Sequence, residues 1–270
     1  MSSFITYTNF SLEYEEFGMG EQILIAFHGF DRHSSDFKVF ETSLGKKYKI
    51  ISFNLFYHGE SILSNTIHSE VFTYNDLKGL IVNLLKEKNK NEFSLLAYSL
   101  GGKIALACIE LFADKIKDVY LFAPDGIKIN WIYRFASSTK LGQSIFKIIV
   151  NQPSCFLKTL NCFEKLGIVN EKFNKFIHYQ LENKERRQKV YDVWLVFRKI
   201  IPNIKNIQAA INKNNINIHL FFGKYDAVIP PSLGTYFVKG LKNKSSLHLL
   251  DMGHQLITEK TNSILAPYIL

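Results

Sequence analysis

A chain of 270 residues with 47% hydrophobic and 21% charged side chains is long enough for a large core and too apolar to stay disordered. Its net charge of +9 permits contact with nucleic acid or an anionic membrane. No compact Arg-rich patch with interleaved aromatics accompanies that charge, and the densest run, Lys184-Glu185-Arg186-Arg187-Gln188-Lys189, reads as a solvated helix face, so a nucleic-acid partner is not expected.

In chain order, residues 3–17 alternate apolar and polar side chains and predict two short edge strands joined around Thr8 and Asn9. Gly18-Met19-Gly20 is a turn. Ile23 to Phe27 is an unbroken apolar run, a buried parallel strand, and it ends in His28-Gly29-Phe30-Asp31. A helix is expected over 34–44 and a second buried strand over 48–54, leading into Leu55-Phe56-Tyr57-His58-Gly59-Glu60-Ser61. An amphipathic helix follows over 73–89, with Leu77, Leu80, Ile81, Leu84 and Leu85 on one face and Thr73 or Asn75 as its cap.

The stretch 93–112 then runs from a strand, Phe93 to Tyr98, through a sharp turn at Ser99-Leu100-Gly101-Gly102 into a helix with apolar positions Ile104, Ala105, Ala107, Cys108 and Leu111. Ser99 thus stands at the carboxyl edge of a sheet and at a helix start, where free backbone N–H groups favour developing negative charge. Asp118 to Ala123 is the next strand, ended by Pro124-Asp125-Gly126. The alternation of strand and helix to this point predicts an α/β fold, a doubly wound and mostly parallel sheet.

Residues 127–210 break the alternation. They read as helices over 141–150, 155–166 and 172–201 with many aromatics, Trp131 among them, most of which are expected to form the segment's own core. The sheet pattern resumes with Ile216 to Phe222 and Gly223-Lys224-Tyr225-Asp226-Ala227-Val228-Ile229-Pro230. A helix over 232–241, a strand over 246–250, the turn Asp251-Met252-Gly253-His254 and a short helix over 256–265 close the chain.

Ala97-Tyr98-Ser99-Leu100-Gly101 resembles the G-x-S-x-G nucleophile elbow of the α/β-hydrolases, with Ala for the first Gly. The HG dipeptide at 28–29, the G-x-x-D-x-x-(V/I)-P stretch at 223–230 and the G-H pair at 253–254 are similar to that superfamily's other landmarks. Asn54 and Tyr57 depart from it, standing where many members carry Asp and Arg ahead of the loop histidine. The resemblance implies an eight-stranded core of residues 1–126 and 211–270 with a helical cap inserted at 127–210. It implies Ser99 as nucleophile, Asp226 as acid and His254 as base, in the order the superfamily uses, and the backbone N–H groups of Phe30 and Leu100 as the oxyanion hole.

Asp125 and Asp251 compete for the acid, and Asp226 has the better motif. His28, Tyr98 and Trp131 are candidate substrate contacts, although His28 reads better as loop support, hydrogen-bonded to backbone, than as a chemical group. A serine at the elbow argues against dehalogenase and epoxide-hydrolase chemistry, which use an Asp there. The expected activity is a cofactor-free and metal-free serine hydrolase, carboxylesterase-like, acting on an ester or thioester of a small, partly hydrophobic molecule. A C–C bond hydrolase or lyase, or a non-catalytic ligand-binding relative, are the alternatives. Cys108, Cys155 and Cys162 show no metal spacing, the sequence MSSFITYTNF lacks signal-peptide features, and no run approaches the roughly 18 apolar residues of a membrane span, so a cytoplasmic monomer or homodimer is expected.

Overall fold

The structure is a computed structural model that describes residues 3–63, 71–242 and 245–265. Strands β1 (Ser3–Tyr7) and β2 (Phe10–Phe17) form an antiparallel pair joined through Thr8, at φ 51°. Then come β3 (Gln22–Phe27), a 3₁₀ turn over Ser34–Phe40 continued by α1 (Glu41–Leu44), β4 (Tyr48–Phe53), a two-residue β5 (Ile62–Leu63) and α2 (Tyr74–Glu87). Strand β6 (Phe93–Tyr98), α3 (Leu100–Phe112) and β7 (Ile116–Phe122) follow. The chain ends with α9 (Ile204–Asn214), β8 (Asn217–Gly223), α10 (Ser232–Val238), β9 (Ser245–Leu250) and α11 (Glu259–Leu265), after the helices α4 to α8 described below.

The sheet order is β1-β2-β4-β3-β6-β7-β8-β9, with β5 pairing β2 off that path. All pairs from β4 to β9 are parallel. This is the expected doubly wound, mostly parallel eight-stranded sheet, with β5 as a short addition. Every side chain of β6 is buried, as is every one after the first in β3, because helices cover both faces. The winding reverses between β3 and β6: β4 lies on one side of β3, and β6 on the other. In open parallel sheets the crevice beyond the carboxyl ends at such a reversal is where ligands bind. The loops leaving β3 and β6 carry the HGF stretch and Ser99.

Helix α2 has its expected buried face and a capping box in which Thr73 and Asp76 satisfy each other's backbone N–H groups. Helix α3 is buried almost all round, which fits a helix packed against the middle of the sheet.

The chain divides into two compact units. The larger carries the sheet. The smaller is formed mainly by residues 129–199. It contains α4 (Trp131–Ser138), α5 (Lys140–Asn151), α6 (Ser154–Lys165), α7 (Glu171–Gln180) and α8 (Lys184–Val196). Its core is aromatic: the Phe146 ring meets Tyr191 edge-on at 5.2 Å and Trp194 at a tilt at 5.1 Å, and Tyr133 lies 5.0 Å from Trp194.

Three expectations change here. The single helix expected over 172–201 is two, α7 and α8, because Asn183 leaves helical geometry and caps Arg186 N–H at 2.8 Å. Helix α4 was not foreseen. Helix α9, counted with the insertion to 210, instead packs in the larger unit through buried Ile204, Ile207 and Ile211.

On the last two strands, His219 stacks on Tyr120 at 5.1 Å and His248 on Phe221 at 4.6 Å. Their imidazoles share the Ser246 hydroxyl at 2.9 and 2.8 Å. Burial holds both below the usual imidazole range. For His219 the Asp118 carboxylate opposes that shift, while His248 and Lys47 reinforce it. The unfolded chain therefore takes up these protons first, near pH 6.5, so the stability they confer is present above that pH and lost as pH falls through the lower folded value. The melting temperature is expected to fall between pH 7 and about pH 5, and the double variant His219→Gln/His248→Gln to fall less steeply. Equal slopes for the two proteins would refute the assignment.

Candidate active site

Strand β6 delivers Ser99 to the carboxyl edge, and the backbone there is fixed from both sides. Ser99 N–H donates to Phe122 O at 3.0 Å, and Ser99 O accepts from Gly102 N–H and Asp125 N–H, each at 2.8 Å. Ser99 sits at φ 49°, ψ −117°, a strained conformation for a residue with a Cβ. Such strain costs about 1–3 kcal/mol and persists only where the surroundings enforce it. Asp31, Tyr57 and Ala123 also have positive φ, and with Ser99 they follow the carboxyl ends of β3, β4, β6 and β7.

Ser99 occupies the N-cap position of α3, yet its hydroxyl makes no capping bond. The hydroxyl instead lies 3.0 Å from His254 Nε2. On the other side of the ring, His254 Nδ1 is 2.7 Å from Asp226 Oδ2. An ionised carboxylate only accepts, so Nδ1 carries the proton and Nε2 is left as the acceptor for the serine hydroxyl. Asp226 has a wholly buried side chain, whereas that of His254 is 17% exposed. The other carboxylate oxygen, Oδ1, accepts from Val228 N–H at 2.8 Å and Ile229 N–H at 2.9 Å. Three donors thus hold one buried carboxylate in one orientation, which offsets its desolvation. An imidazole so held can take a hydroxyl proton and return it.

The rival carboxylates are engaged elsewhere. Asp125 Oδ1 accepts from Gly126 N–H at 2.7 Å, and Asp251 is an exposed turn residue.

Of the three candidate substrate contacts, two have structural duties. His28 is buried, donates from Nδ1 to Gly29 O at 2.6 Å and accepts Leu55 N–H at Nε2, 3.0 Å away. Both ring nitrogens are committed to backbone, so His28 supports the loop. Tyr98 is buried, and its hydroxyl donates to His254 O at 2.9 Å. It fixes the backbone of the histidine loop, a duty that sequence alone did not reveal. Trp131 opens α4 in the smaller unit and is 74% exposed.

His58, from the loop after β4, also went unassigned in the sequence. Its Nε2 accepts Asp31 N–H at 2.9 Å, its Nδ1 donates to Phe56 O at 3.0 Å, and its ring meets Phe30 edge-on at 5.7 Å. The HGES stretch was the available signal. Gly29 approaches the elbow so closely that a Cβ there would lie 2.8 Å from the Tyr98 ring and 3.2 Å from Ser99 Cβ. Phe30 therefore follows directly on a close approach between the two loops.

Among the described residues no group of three or more His, Cys, Asp or Glu is arranged to hold a metal ion, and no helix is long and apolar enough to cross a membrane. A cleft of about 1320 Å³ lies at the opposite, amino-terminal edge of the sheet, lined by Lys47, Asp118, Asn217 and His219 among others. It includes none of the Ser99–His254–Asp226 chain.

Comparison with known proteins agrees with this fold. The family described as serine aminopeptidase, S33 matches residues 20–261. The uncharacterized hydrolase YugF of Bacillus subtilis is 22% identical over 258 residues, covering 93% of this chain and 89% of its own. A thermophilic esterase from Thermogutta terrifontis superposes with a TM-score of 0.69 at 15% identity, over 100% of this chain and 98% of that one. A haloalkane dehalogenase from Bradyrhizobium elkani gives 0.66 at 16% identity, over 100% and 97%. At such identities the two solved structures share the fold alone, so the chemistry has to be read from the site.

Proposed function

The chain belongs to the serine aminopeptidase S33 family of α/β-hydrolases, and from that premise we propose that it is a serine hydrolase that cleaves an ester or thioester of a small, partly hydrophobic molecule. The observation that carries this reading is the Ser99 hydroxyl, which leaves its helix uncapped and meets His254 Nε2 at 3.0 Å.

On this reading Ser99 Oγ attacks the substrate carbonyl as its proton passes to His254. Asp226, through Nδ1, keeps the ring in the right tautomer and stabilises the imidazolium. The tetrahedral oxyanion is held by the N–H groups of Phe30 and Leu100, the latter in the first turn of α3; each preorganised donor is worth about 3 kcal/mol. Support for Phe30 comes from the close approach of Gly29 to Ser99. The tetrahedral adduct collapses, the C–O or C–S bond breaks, and His254 protonates the leaving group. Water, deprotonated by His254, then releases the acid from the acyl-enzyme. On the same reading the inserted helical unit, mainly residues 129–199, selects the substrate.

The test is turnover of p-nitrophenyl esters of increasing acyl length by the wild type and Ser99→Ala. The wild type is expected to turn over with a chain-length optimum, and the variant to lose at least about 10⁴-fold in kcat. A fluorophosphonate is expected to label Ser99 in the wild type only. A folded protein that neither turns over nor labels would mark a ligand-binding relative and defeat the reading. The family description favours one further bond, the peptide bond at an amino terminus. Faster cleavage of aminoacyl p-nitroanilides than of any ester would select it on the same three residues.

A further inference from the structure

The charge of the chain is not evenly spread. Residues 129–199 hold 13 Lys and Arg against 5 Asp and Glu, a net +8 out of +9 for the whole chain. The first two helices of this unit, α4 and α5, contain Arg134, Lys140 and Lys147 and no acidic residue; the nearest acids in sequence are Asp125 and Glu164.

The same two helices expose large apolar side chains. Trp131, Ile132 and Phe135 are exposed on α4, and Leu141, Ile145 and Ile148 on α5. Leu141 and Ile148 are 65% and 61% exposed. The three α5 positions, at i, i+4 and i+7, form one stripe. That stripe is not the packing face of the helix, which is Gly142, Phe146 and Val150, with Phe146 set against Tyr191 and Trp194. Helix α5 therefore has two apolar faces, one packed and one open, and Lys140 and Lys147, seven residues apart, border the open one.

We propose that the open face of α4 and α5 docks on the surface of an anionic lipid bilayer. Charge complementarity selects this occupant. An apolar stripe rimmed by cations, with no acid among them, matches an interface where acyl chains lie just beneath negatively charged headgroups. Trp131 suits the same boundary, since its ring is apolar with one polar N–H. A second copy of the chain fits poorly: a two-fold contact would bring Lys140 and Lys147 against their own equivalents. The docking is peripheral and needs no spanning helix.

The test is co-sedimentation with vesicles of phosphatidylcholine alone and of phosphatidylcholine and phosphatidylglycerol in equal parts. Binding to the mixed vesicles is expected to exceed binding to the neutral ones by at least about tenfold and to weaken at raised salt. Tryptophan emission should shift to the blue on the mixed vesicles. Leu141→Glu/Ile148→Glu and, separately, Lys140→Glu/Lys147→Glu should each reduce binding by about tenfold or more, with unchanged far-UV circular dichroism. Should the apolar pair fail to fold, the charge-reversal pair at exposed positions decides. Ser99→Ala should bind vesicles like the wild type, so failure here and failure of the hydrolase reading are separable. No wild-type binding to the mixed vesicles, or binding that survives both double variants, overturns the proposal. So does an apolar variant that changes only the solution mass, which would make the face a protein interface.

Discussion

Asp226→Asn lowers kcat on a p-nitrophenyl ester by about 10⁴-fold, while Asp125→Asn leaves it within about threefold. The asymmetry follows from hydrogen bonding around Asp226. Oδ1 accepts two backbone N–H groups, from Val228 and Ile229. An asparagine keeps its carbonyl oxygen there, because only an oxygen can accept them. Its NH₂ then occupies the place of Oδ2, facing His254 Nδ1. A donor facing Nδ1 requires that nitrogen to accept, which moves the ring proton to Nε2 and points it at Ser99. The imidazole can no longer take the serine proton, although nothing in the fold has moved. At Asp125 the bond from Gly126 N–H is kept by asparagine. The measurement is kcat for both variants beside circular dichroism. A loss confined to Asp125→Asn would give the proposed acid role to the wrong residue.

Much of the fold was legible because local pattern and tertiary environment agreed. Strands β3, β4, β6, β7 and β8 are mainly apolar, as a parallel sheet covered on both faces requires. The β1–β2 pair announced itself by alternation, and α2 by its apolar face and its cap. The failures lie where one signal has two physical readings. Helices α7 and α8 were merged because Leu181, Glu182 and Asn183 are all tolerated in a helix; only the capping bond of Asn183 marks the break. Helix α9 was counted with the insertion because an apolar face at Ile204, Ile207 and Ile211 looks the same whichever unit it packs on. Helix α4 was missed because α5 follows it at once, Thr139 serving both.

At the candidate site, the residues legible in sequence were those whose chemistry needs a fixed type at a fixed place: Ser99, Asp226 and His254. Their supports were not legible. Tyr98 holds the backbone of residue 254, and His58 holds that of Asp31. Each is a contact between distant segments made to main chain, so neither partner's side-chain identity betrays it. His28 is the exception: its place in the HG loop already favours a supporting role, and both of its ring nitrogens are occupied by backbone.

Gly101→Ala sets two physical effects of opposite sign against each other, and the clash is expected to win. Gly101 lies in the first turn of α3, where alanine is the better helix former by about 1 kcal/mol. Propensity alone therefore predicts a more stable protein. However, a Cβ at 101 would sit 1.9 Å from Phe27 O, 2.4 Å from Phe27 C and 2.8 Å from His28 O. All three are backbone atoms at the end of β3, a strand hydrogen-bonded on both sides, so no rotamer change relieves them. The helix start must withdraw from the sheet by about 1 Å or more, at a cost of about 3 kcal/mol or greater, since packed interiors do not yield at that scale. Ser99 moves with it, two residues away, and a displacement of about 1 Å in a reacting group costs about 10²-fold in rate even where the protein folds. Gly253, beside His254, is the control: a Cβ there meets nothing within 4 Å, and Gly253→Ala should stay within about 0.5 kcal/mol of the wild type. The readouts are thermal midpoint and the rate of fluorophosphonate labelling at Ser99. A Gly101→Ala protein as stable and as reactive as the wild type would mean that helix propensity outweighs the contact with β3, and that the elbow is looser than its backbone bonds imply.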